Sequence, residues 1–487
     1  MCKTIIHLFI ALGILFSTPF CSATHAEEVT LEQAIDKAVG HTGRGIIIDG
    51  NLDVAEQRYF AEKINFYVPE LSLNGSLPSY RVTEEYDFIE GTLDQKGVRR
   101  RTWFDFDADI TLNQNLITGG ELQLAANLID RDREYPLGLT TVNETWRLGT
   151  FNFSFDQPIL QPSQARHDLH NSHDDLMIAR LDRVEEIATL KTEVIDAYFG
   201  VLRAQLTDDI KQDLVESARL QAGIDSIKLQ DGIISEEDWL TSESDLLDAE
   251  LEKFDAENEL AGQRKTLATT LDWDEVKTLE PVLPEMPGPL DEVLLKEYLV
   301  LWGDCVEIQK ARFNYDKSQR EADFASGGHG LQGSLKATYG LERGRVEDDL
   351  VSSDRVDLDN NNWSVSLEFS YPIWDGGASA AQVKAARLSA DQSRLEYEKT
   401  QKNARAEIEL LINGLRISHR KVFVLQRQVD LAEDRLDIAR SRLTDGEISM
   451  LTFLESRVTY LEAKDVFYQE LQDFFKKQVE LEGKFLN

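Results

Sequence analysis

The sequence predicts an α+β membrane protein that joins a transmembrane antiparallel β-barrel to a long α-helical coiled-coil tunnel, with two internal repeats in each chain. Three observations lead to this prediction. Two long stretches, 163–280 and 373–487, contain no proline. Segments that alternate strictly between apolar and polar residues precede each stretch. An Asp-Gly turn recurs at positions 231 and 445, a spacing of 214 residues.

The two proline-free stretches predict helical hairpins. Proline costs a helix interior about 3 kcal/mol or more, so long intervals without it favour very long helices. Each stretch breaks midway at the Asp-Gly turn, which leaves arms of roughly 60 residues, or about 90 Å at 1.5 Å per residue. Apolar residues of the second stretch step by three and four, as in the seam of a coiled coil. They are Val422, Leu425, Val429, Ala432, Leu436, Ala439 and Leu443.

The repeat can be followed along the chain. The turn at 229–235 matches 443–449, and Pro158 matches Pro372, all with the spacing of 214 residues. Upstream, matching strand segments are 258 residues apart, so the first half carries 44 additional residues. Duplication indicates that the two halves have the same mechanical role.

Composition limits the possible functions. The 487 residues have a net charge of −36, and 29% of them are charged. This acidity argues against binding of nucleic acid or anionic lipid headgroups by charge. It is compatible both with a solvated acidic surface and with acid concentrated in a shared lumen.

The N-terminus predicts export. Residues 1–26 combine a basic residue, an apolar run and small residues before a cleavage point after Ala26, as in a secretory signal. The residues before Cys21 lack the small side chains of a lipobox, which argues against lipidation. The mature chain would then keep only Cys305, which excludes an intrachain disulfide. Beyond the signal no apolar run reaches the about 18 residues of a membrane helix, so any spanning part must consist of strands.

Each repeat is predicted to contain a helix, alternating strands and a helical hairpin. The first repeat is predicted at 27–280, with a helix at 29–66, strands at about 71–157 and the hairpin at 163–272. The second repeat is predicted at 290–487, with a helix to about 324, strands at about 331–371 and the hairpin at 375–486. Residues 281–289 hold four prolines and are predicted to form an extended linker. Three polar or charged segments are predicted loops: 81–102, 130–145 and 340–361.

The alternating segments fit either a soluble β-sandwich or a transmembrane barrel, with strands of 9 to 11 residues. Export, the long flanking helices and tryptophans at the loop ends of the strands favour the barrel. Helices on one side of a membrane require an even number of strands in each repeat. The second repeat has two, and the first has four unless its 44 additional residues form an extracellular flap. The acids predicted to face the pore are Asp105, Asp107, Asp109 and Glu368.

Several motifs then resemble a known family. They are the strand-to-helix junction 371–377, the turn 445–449, and the following segments 454–457 and 461–463, with a helix start at 30–35. These residues resemble the TolC family of outer-membrane efflux proteins, and the similarity extends over nearly the whole mature chain. The first-half copies of the junction and the turn match more loosely.

The resemblance implies a homotrimer embedded in outer-membrane lipid, with the helices in the periplasm. The barrel of this trimer would have 12 or 18 strands, depending on whether the first repeat contributes two or four. A periplasmic adaptor protein coupled to an inner-membrane pump would meet the two turns. The turn residues concerned are Asp231, Gly232, Ser235, Asp445, Gly446 and Ser449. Two acidic rings close the periplasmic entrance in this family. Here the matching positions are Thr452, which departs from the pattern, and Glu455, for which the alternative is a solvated helix carboxylate.

The sequence predicts no enzyme and no cofactor. His167, His170 and His173 lie at the start of a helix, where hydration is favoured over metal binding, and no nucleophile or zinc-protease motif occurs. The predicted function is a passive exit duct of a tripartite efflux or type I secretion system. The alternatives are an exported structural coiled-coil protein with a β cap and a general diffusion porin. The cargo, the pump and the adaptor are not predicted.

Overall fold

The computed structural model describes residues 27–88, 96–137, 140–273, 279–348 and 356–485. The predicted signal segment 1–26, with Cys21, lies outside the described residues. The chain divides into two compact units, and each draws on both halves of the sequence. The first unit comprises the described residues of Met1–Thr42, Glu193–Gly288 and Arg420–Asp473, and the second those of Gly43–Thr192, Pro289–His419 and Phe474–Asn487.

The second unit contains a six-stranded antiparallel sheet. Its strands are β2 (Glu70–Phe88), β3 (Lys96–Asn115), β4 (Glu121–Leu137), β5 (Thr140–Pro158), β7 (Gln332–Asp348) and β8 (Val356–Ser370). The order is β2-β3-β4-β5-β7-β8, so β5 and β7 join the strands of the two sequence halves. The hairpin β3–β4 turns at Gly119, where φ is +90°. The 44 additional residues therefore contribute paired strands to the sheet rather than a separate flap.

The three predicted loops are wrong over most of their length. Residues 81–88 and 96–102 continue β2 and β3, 130–137 and 140–145 continue β4 and β5, and 340–348 and 356–361 continue β7 and β8. The strands are therefore 15 to 20 residues long, not 9 to 11. Cross-strand ion pairs explain the extension, because they allow polar segments to remain paired. Arg343 Nε lies 3.1 Å from Asp359 Oδ1, and Arg345 Nε lies 3.3 Å from Asp357 Oδ1.

The two faces of the sheet differ in polarity. The register places Leu73, Ile110, Ala126, Phe151 and Leu341 in one row across five strands. Large apolar side chains of this face are exposed, with Leu73 74% exposed. The opposite face carries aspartate, asparagine, serine and threonine at the alternate positions. We call these the apolar face and the polar face.

The helices of the first predicted segments are interrupted. Residues 29–66 form not one helix but the short strand β1 (Glu27–Val29), α1 (Leu31–His41) and α2 (Gly43–Tyr67). The break falls at Thr42, whose backbone is extended and whose Oγ1 donates to the Ala38 carbonyl at 2.6 Å. In the second half, α5 (Glu292–Val300) and a 3-10 turn (Leu301–Asp304) precede α6 (Val306–Gly328), with the break at Cys305.

The long helices follow the prediction closely. They are α3 (Gln164–Gln230), α4 (Glu236–Thr270), α7 (Ala378–Thr444) and α8 (Met450–Glu482). Helices α3 and α7 are both 67 residues long, and their first residues are 214 apart. Every residue of the predicted seam on α7 is buried or half-buried, which confirms that this stripe is the packed face. None of the helices in the described ranges combines the length and the apolar content that crossing a bilayer requires.

In the first unit, the start of the described chain pairs with the predicted linker. Strand β1 lies parallel to β6 (Leu279–Pro281), so Pro281 belongs to a strand and only the residues after it run as irregular chain. Tyr198 Oη lies within hydrogen-bonding distance of the carbonyl oxygens of Val29 and Val282. The ring of Trp273 faces Lys37, with Nζ 3.4 Å from the ring centroid. The Tyr198 hydroxyl thus bridges the end of β1 and the residue that follows β6.

Candidate functional site

The two Asp-Gly turns have the same backbone geometry. After α3, the amides of Asp231, Gly232 and Ile233 donate to the carbonyls of the last helical turn at 2.8 to 3.0 Å. After α7, the amides of the three residues starting at Asp445 do so at 2.9 to 3.0 Å. The glycine at each turn is left-handed, with φ of +66° and +73°. Glycine occurs there because it alone adopts this conformation at little cost, and it lets the chain reverse directly into the next helix.

A serine caps the helix that follows each turn. Ser235 and Asp238 form a capping box at the start of α4, with Ser235 Oγ 2.7 Å from Asp238 Oδ2. This hydrogen bond from Ser235 lowers the pKa of Asp238. At the start of α8, Ser449 Oγ accepts from the Thr452 amide at 3.2 Å and lies 3.1 Å from Thr452 Oγ1. Thr452 thus occupies in the second hairpin the place that Asp238 occupies in the first.

Thr452 and Glu455 are exposed on α8 and lie three residues apart, hence on the same side of the helix. Between them, Leu454 is buried. No ion pair of the Glu455 carboxylate occurs among the described residues of the single chain. The structure thus places the predicted gate residues together and leaves their side chains accessible.

The sequence did not reveal a buried carboxylate beside the first turn. Asp225 on α3 accepts hydrogen bonds from Lys228 Nζ at 2.8 Å, Ser242 Oγ at 2.7 Å and Gln221 Nε2 at 2.8 Å. These hydrogen bonds lower the pKa of Asp225 to about 2, and the bond from Lys228 has the largest effect. Ser242 belongs to α4, so Asp225 ties the two arms of the hairpin below the turn.

Two ion pairs connect the hairpins within the first unit. Arg457 on α8 lies 3.1 Å from Asp213 on α3, and Arg203 on α3 donates to Asp465 on α8 at 2.8 Å. The start of α8 also contacts the first hairpin, because Leu451 lines a groove with residues of α3 and α4. No local pattern predicted these pairs, since the partners are more than 200 residues apart in sequence.

The four acids predicted to face a pore lie on the polar face of the sheet, in the second unit. Asp105 pairs with Arg131 at 2.7 Å, and Glu368 pairs with Lys336 at 2.6 Å. Asp109 Oδ2 lies 3.1 Å from Thr111 Oγ1. Asp107 Oδ1 is buried without a hydrogen-bond partner among the described protein atoms. The side chains of Arg131 and Lys336 therefore neutralise part of the negative charge on the polar face. The turns belong to the first unit and form a separate site.

The histidine cluster shows hydrogen-bonded and stacked side chains. His167 stacks on Phe324 with centroids 4.4 Å apart, and its Nε2 lies 3.0 Å from Glu321 Oε2. His173 packs edge-on against Tyr59. Over the described part of the chain, no group of three or more histidine, cysteine, aspartate or glutamate side chains is arranged to hold a metal ion.

Comparison with known proteins gives one matching sequence family and several solved channels of similar structure. Residues 306–481 match the family described as outer membrane efflux protein. The Campylobacter jejuni CmeC outer membrane channel is similar in structure, with a TM-score of 0.59 and 14% identity over 93% of this chain and 86% of that chain. The Vibrio cholerae outer membrane protein VceC has a TM-score of 0.58 and 14% identity over 94% and 97%. The open state of the Neisseria gonorrhoeae MtrE outer membrane channel has a TM-score of 0.55 and 14% identity over 93% and 88%.

No curated protein matches the sequence. At these identities the solved channels show the fold, while the family match covers the sequence of the second half. Residues 306–481 thus match the outer membrane efflux protein family in sequence, and the chain shares the fold of solved outer membrane channels.

Proposed function

We propose that this protein is the passive exit duct of a tripartite efflux or type I secretion system, formed by three copies of the chain. The observation that supports it most is the division of the sheet into an exposed apolar face and a polar face. A strand with lipid on one side and water on the other needs this alternation. The energy for transport would come from a pump in the inner membrane.

The sheet supports closure between copies. Strands β2 and β8 are its edges, and each has only one neighbouring strand among the described residues. An edge left unpaired in lipid would expose backbone polar groups to a medium that cannot hydrogen-bond them, so a spanning sheet must close. If β2 of one copy pairs with β8 of the next, three copies give an eighteen-stranded barrel. The polar face, with Asp105 and Glu368, would then line the pore.

Exposed apolar stripes on the helices support the trimer. In the first unit, α7 exposes Val424, Leu431 and Ile438 at intervals of seven residues. Helix α4 exposes Leu240, Leu247, Leu251 and Phe254 at coiled-coil spacing. These residues lie outside the buried seam of α7, so each hairpin carries a second apolar stripe. Burial of such a stripe against another helix is the physical reason for assembly.

The turns and Glu455 would form the periplasmic end. Three Glu455 carboxylates around a threefold axis would repel one another and attract cations, which makes the ring a cation-favouring constriction. Thr452 would leave the neighbouring ring uncharged. The exposed turns, with Asp231, Gly232, Asp445 and Gly446, would contact the periplasmic adaptor. The helical part would therefore extend into the periplasm.

Fractionation tests this proposal. The mature protein expressed in a Gram-negative host should enter the outer-membrane fraction and migrate as a trimer that dissociates on heating. A deletion strain should become hypersensitive to drugs or lose a secreted polypeptide, and the wild-type gene should restore the phenotype. A structural coiled-coil protein would instead stay soluble without detergent. A general diffusion porin would conduct constitutively and would need no adaptor.

A further inference from the structure

A groove crosses the apolar face of the sheet. It has a volume of about 440 Å³, within the range of roughly 300–1,000 Å³ that is usual for ligand pockets. The small residues Ala108, Ala126 and Gly149 leave this space between larger side chains. The larger residues are Leu73, Ile110, Leu128, Phe151 and Leu341. The groove is lined mainly by apolar side chains and is open on one side, which suits a hydrocarbon chain.

Three arginines lie at one end of the groove. Arg343 lines it and lies opposite Gly149 on the neighbouring strand. One row further along the strands, Arg147 on β5 lies directly opposite Arg345 on β7. Like charges directly opposite in a sheet are destabilising, and here an aspartate beside each arginine offsets part of that repulsion. The register therefore brings three guanidinium groups together where the apolar lining ends.

The arginines keep free hydrogen-bond donors. Each contacts one aspartate through Nε: Arg147 with Asp130 at 3.5 Å, Arg343 with Asp359 at 3.1 Å and Arg345 with Asp357 at 3.3 Å. These carboxylates orient the guanidinium groups, and the Nη groups have no other protein partner among the described residues. A guanidinium edge of this kind binds the oxygens of a phosphate in bidentate fashion.

We propose that the groove and Arg147, Arg343 and Arg345 bind an outer-leaflet lipid that carries both phosphate and acyl chains, the chemistry of lipid A. One acyl chain would occupy the groove and a phosphate would accept from the arginines. This rests on the proposed function, because it requires the apolar face to lie in the outer membrane. The charged row lies at the end of the strands away from the helices, where an outer leaflet would have its headgroups.

The net charge of −36 does not oppose this site. Charges separated by more than about 8 Å are screened at physiological salt, so the arginines act on a phosphate in contact with them. The site also remains open in a trimer. Its lining comes mainly from β3, β4, β5 and β7, whereas copies would pair through the edges β2 and β8.

Two variants test the two parts of the site. Gly149→Leu should fill the groove, because a Cβ at this position meets only Leu128 Cδ2 at 3.6 Å and the Arg343 carbonyl at 3.7 Å, which are ordinary contacts. Arg147→Gln with Arg345→Gln removes two of the three proposed phosphate donors and leaves Arg343, which also lines the groove. The matched controls are Ala337→Leu, on the apolar face outside the groove, and Lys336→Gln, which removes a cation from the polar face.

The purified protein is incubated with lipid A, phosphatidylethanolamine or phosphatidylglycerol, and the bound lipid is counted by native mass spectrometry. Wild type and both controls should retain lipid A in preference to the phospholipids. Each site variant should lower lipid A retention about tenfold, the effect of 1.4 kcal/mol. Equal retention by site variants and controls would overturn the proposal, as would loss in Gly149→Leu alone. Bilayer currents measured in parallel separate the two claims. A conducting wild type without lipid A preference refutes only the lipid site, and absence of current refutes the duct.

Discussion

Arg457 on α8 and Asp213 on α3 form an ion pair in which only one partner has access to water. Arg457 Nε lies 3.1 Å from Asp213 Oδ2, and the two side chains are 43% and 2% exposed, respectively. The contact is ionic rather than a well-aligned hydrogen bond, since this oxygen has no hydrogen-bond partner in the part of the chain that the structure describes. The pair links the second hairpin to the first within one chain. Its asymmetry makes the two partners unequal in their effect on stability.

Removal of Arg457 should cost more than neutralisation of Asp213. Arg457→Met leaves a buried carboxylate without its counter-ion, and breaking a buried pair in this way costs about 3 kcal/mol or more. Asp213→Asn leaves an arginine that water can solvate, so its cost should stay below about 1 kcal/mol. Thermal unfolding of the two purified variants in detergent, next to wild type, measures the difference. Equal destabilisation by the two variants would contradict this account, in which the buried carboxylate of Asp213 depends on Arg457 for its counter-ion.

The same pair predicts a dependence on pH. Burial raises the pKa of Asp213, against the opposite influence of Arg457. A carboxyl with a raised folded-state pKa favours the protonated folded form, so its contribution to stability falls as pH rises from the unfolded pKa of about 3.9 through the folded value. Without Arg457, the folded-state pKa of Asp213 rises further, so this loss of stability continues to a higher pH. The deficit of Arg457→Met should therefore shrink on acidification, and adding Asp213→Asn should abolish that change. An unchanged deficit across this pH range would contradict the assignment.

The turn glycines should resist substitution. At Gly232 and Gly446, φ is +66° and +73°, and an L-residue in the left-handed region costs about 1–2 kcal/mol. Gly232→Ala and Gly446→Ala should each lower stability by that amount. Gly223 is the matched control, because it lies inside α3 with no atom within 4 Å of an added Cβ. Gly223→Ala should stabilise by roughly 0.5–1 kcal/mol. A stabilising Ala at either turn would refute this account of the turns.

The exposed stripe of α7 should determine assembly. Ile438 is 60% exposed in the single chain, and burial of such a side chain is worth about 1.5–3 kcal/mol. Ile438→Glu should therefore weaken or abolish the heat-labile trimer on semi-native electrophoresis. Gln428→Glu introduces the same charge at an exposed polar position of the same helix and should leave the trimer intact. If both variants form normal trimers, this stripe is not an interface.

Much of the helical architecture could be predicted because helix signals are local. The absence of proline, the seven-residue seam and the glycine turns all act over a few residues, and α3 and α7 begin within three residues of the predicted starts. The breaks at Thr42 and Cys305 were missed, since neither residue excludes a helix by itself. At Thr42, the side-chain bond to the Ala38 carbonyl accompanies the change to extended backbone.

The strand ends and the ion pairs could not be predicted for a different reason. Charged positions such as Arg345 and Asp357 indicate a loop when each strand is considered alone, and they stabilise a strand only once the partner strand lies alongside. Asp213 and Arg457 likewise form an ion pair only because helices distant in sequence come into contact. Pairing across long sequence separations has no signal in a single sequence without an alignment.

Single-channel recording tests the central claim, that the polar face of the sheet lines a water-filled pore. The purified mature protein, added to a planar lipid bilayer, should insert and give stepwise, cation-selective currents. Glu455→Gln should keep the current steps and lose part of the cation selectivity, because it removes the carboxylate proposed to ring the entrance. A protein that stays a water-soluble monomer and carries no current would contradict the account.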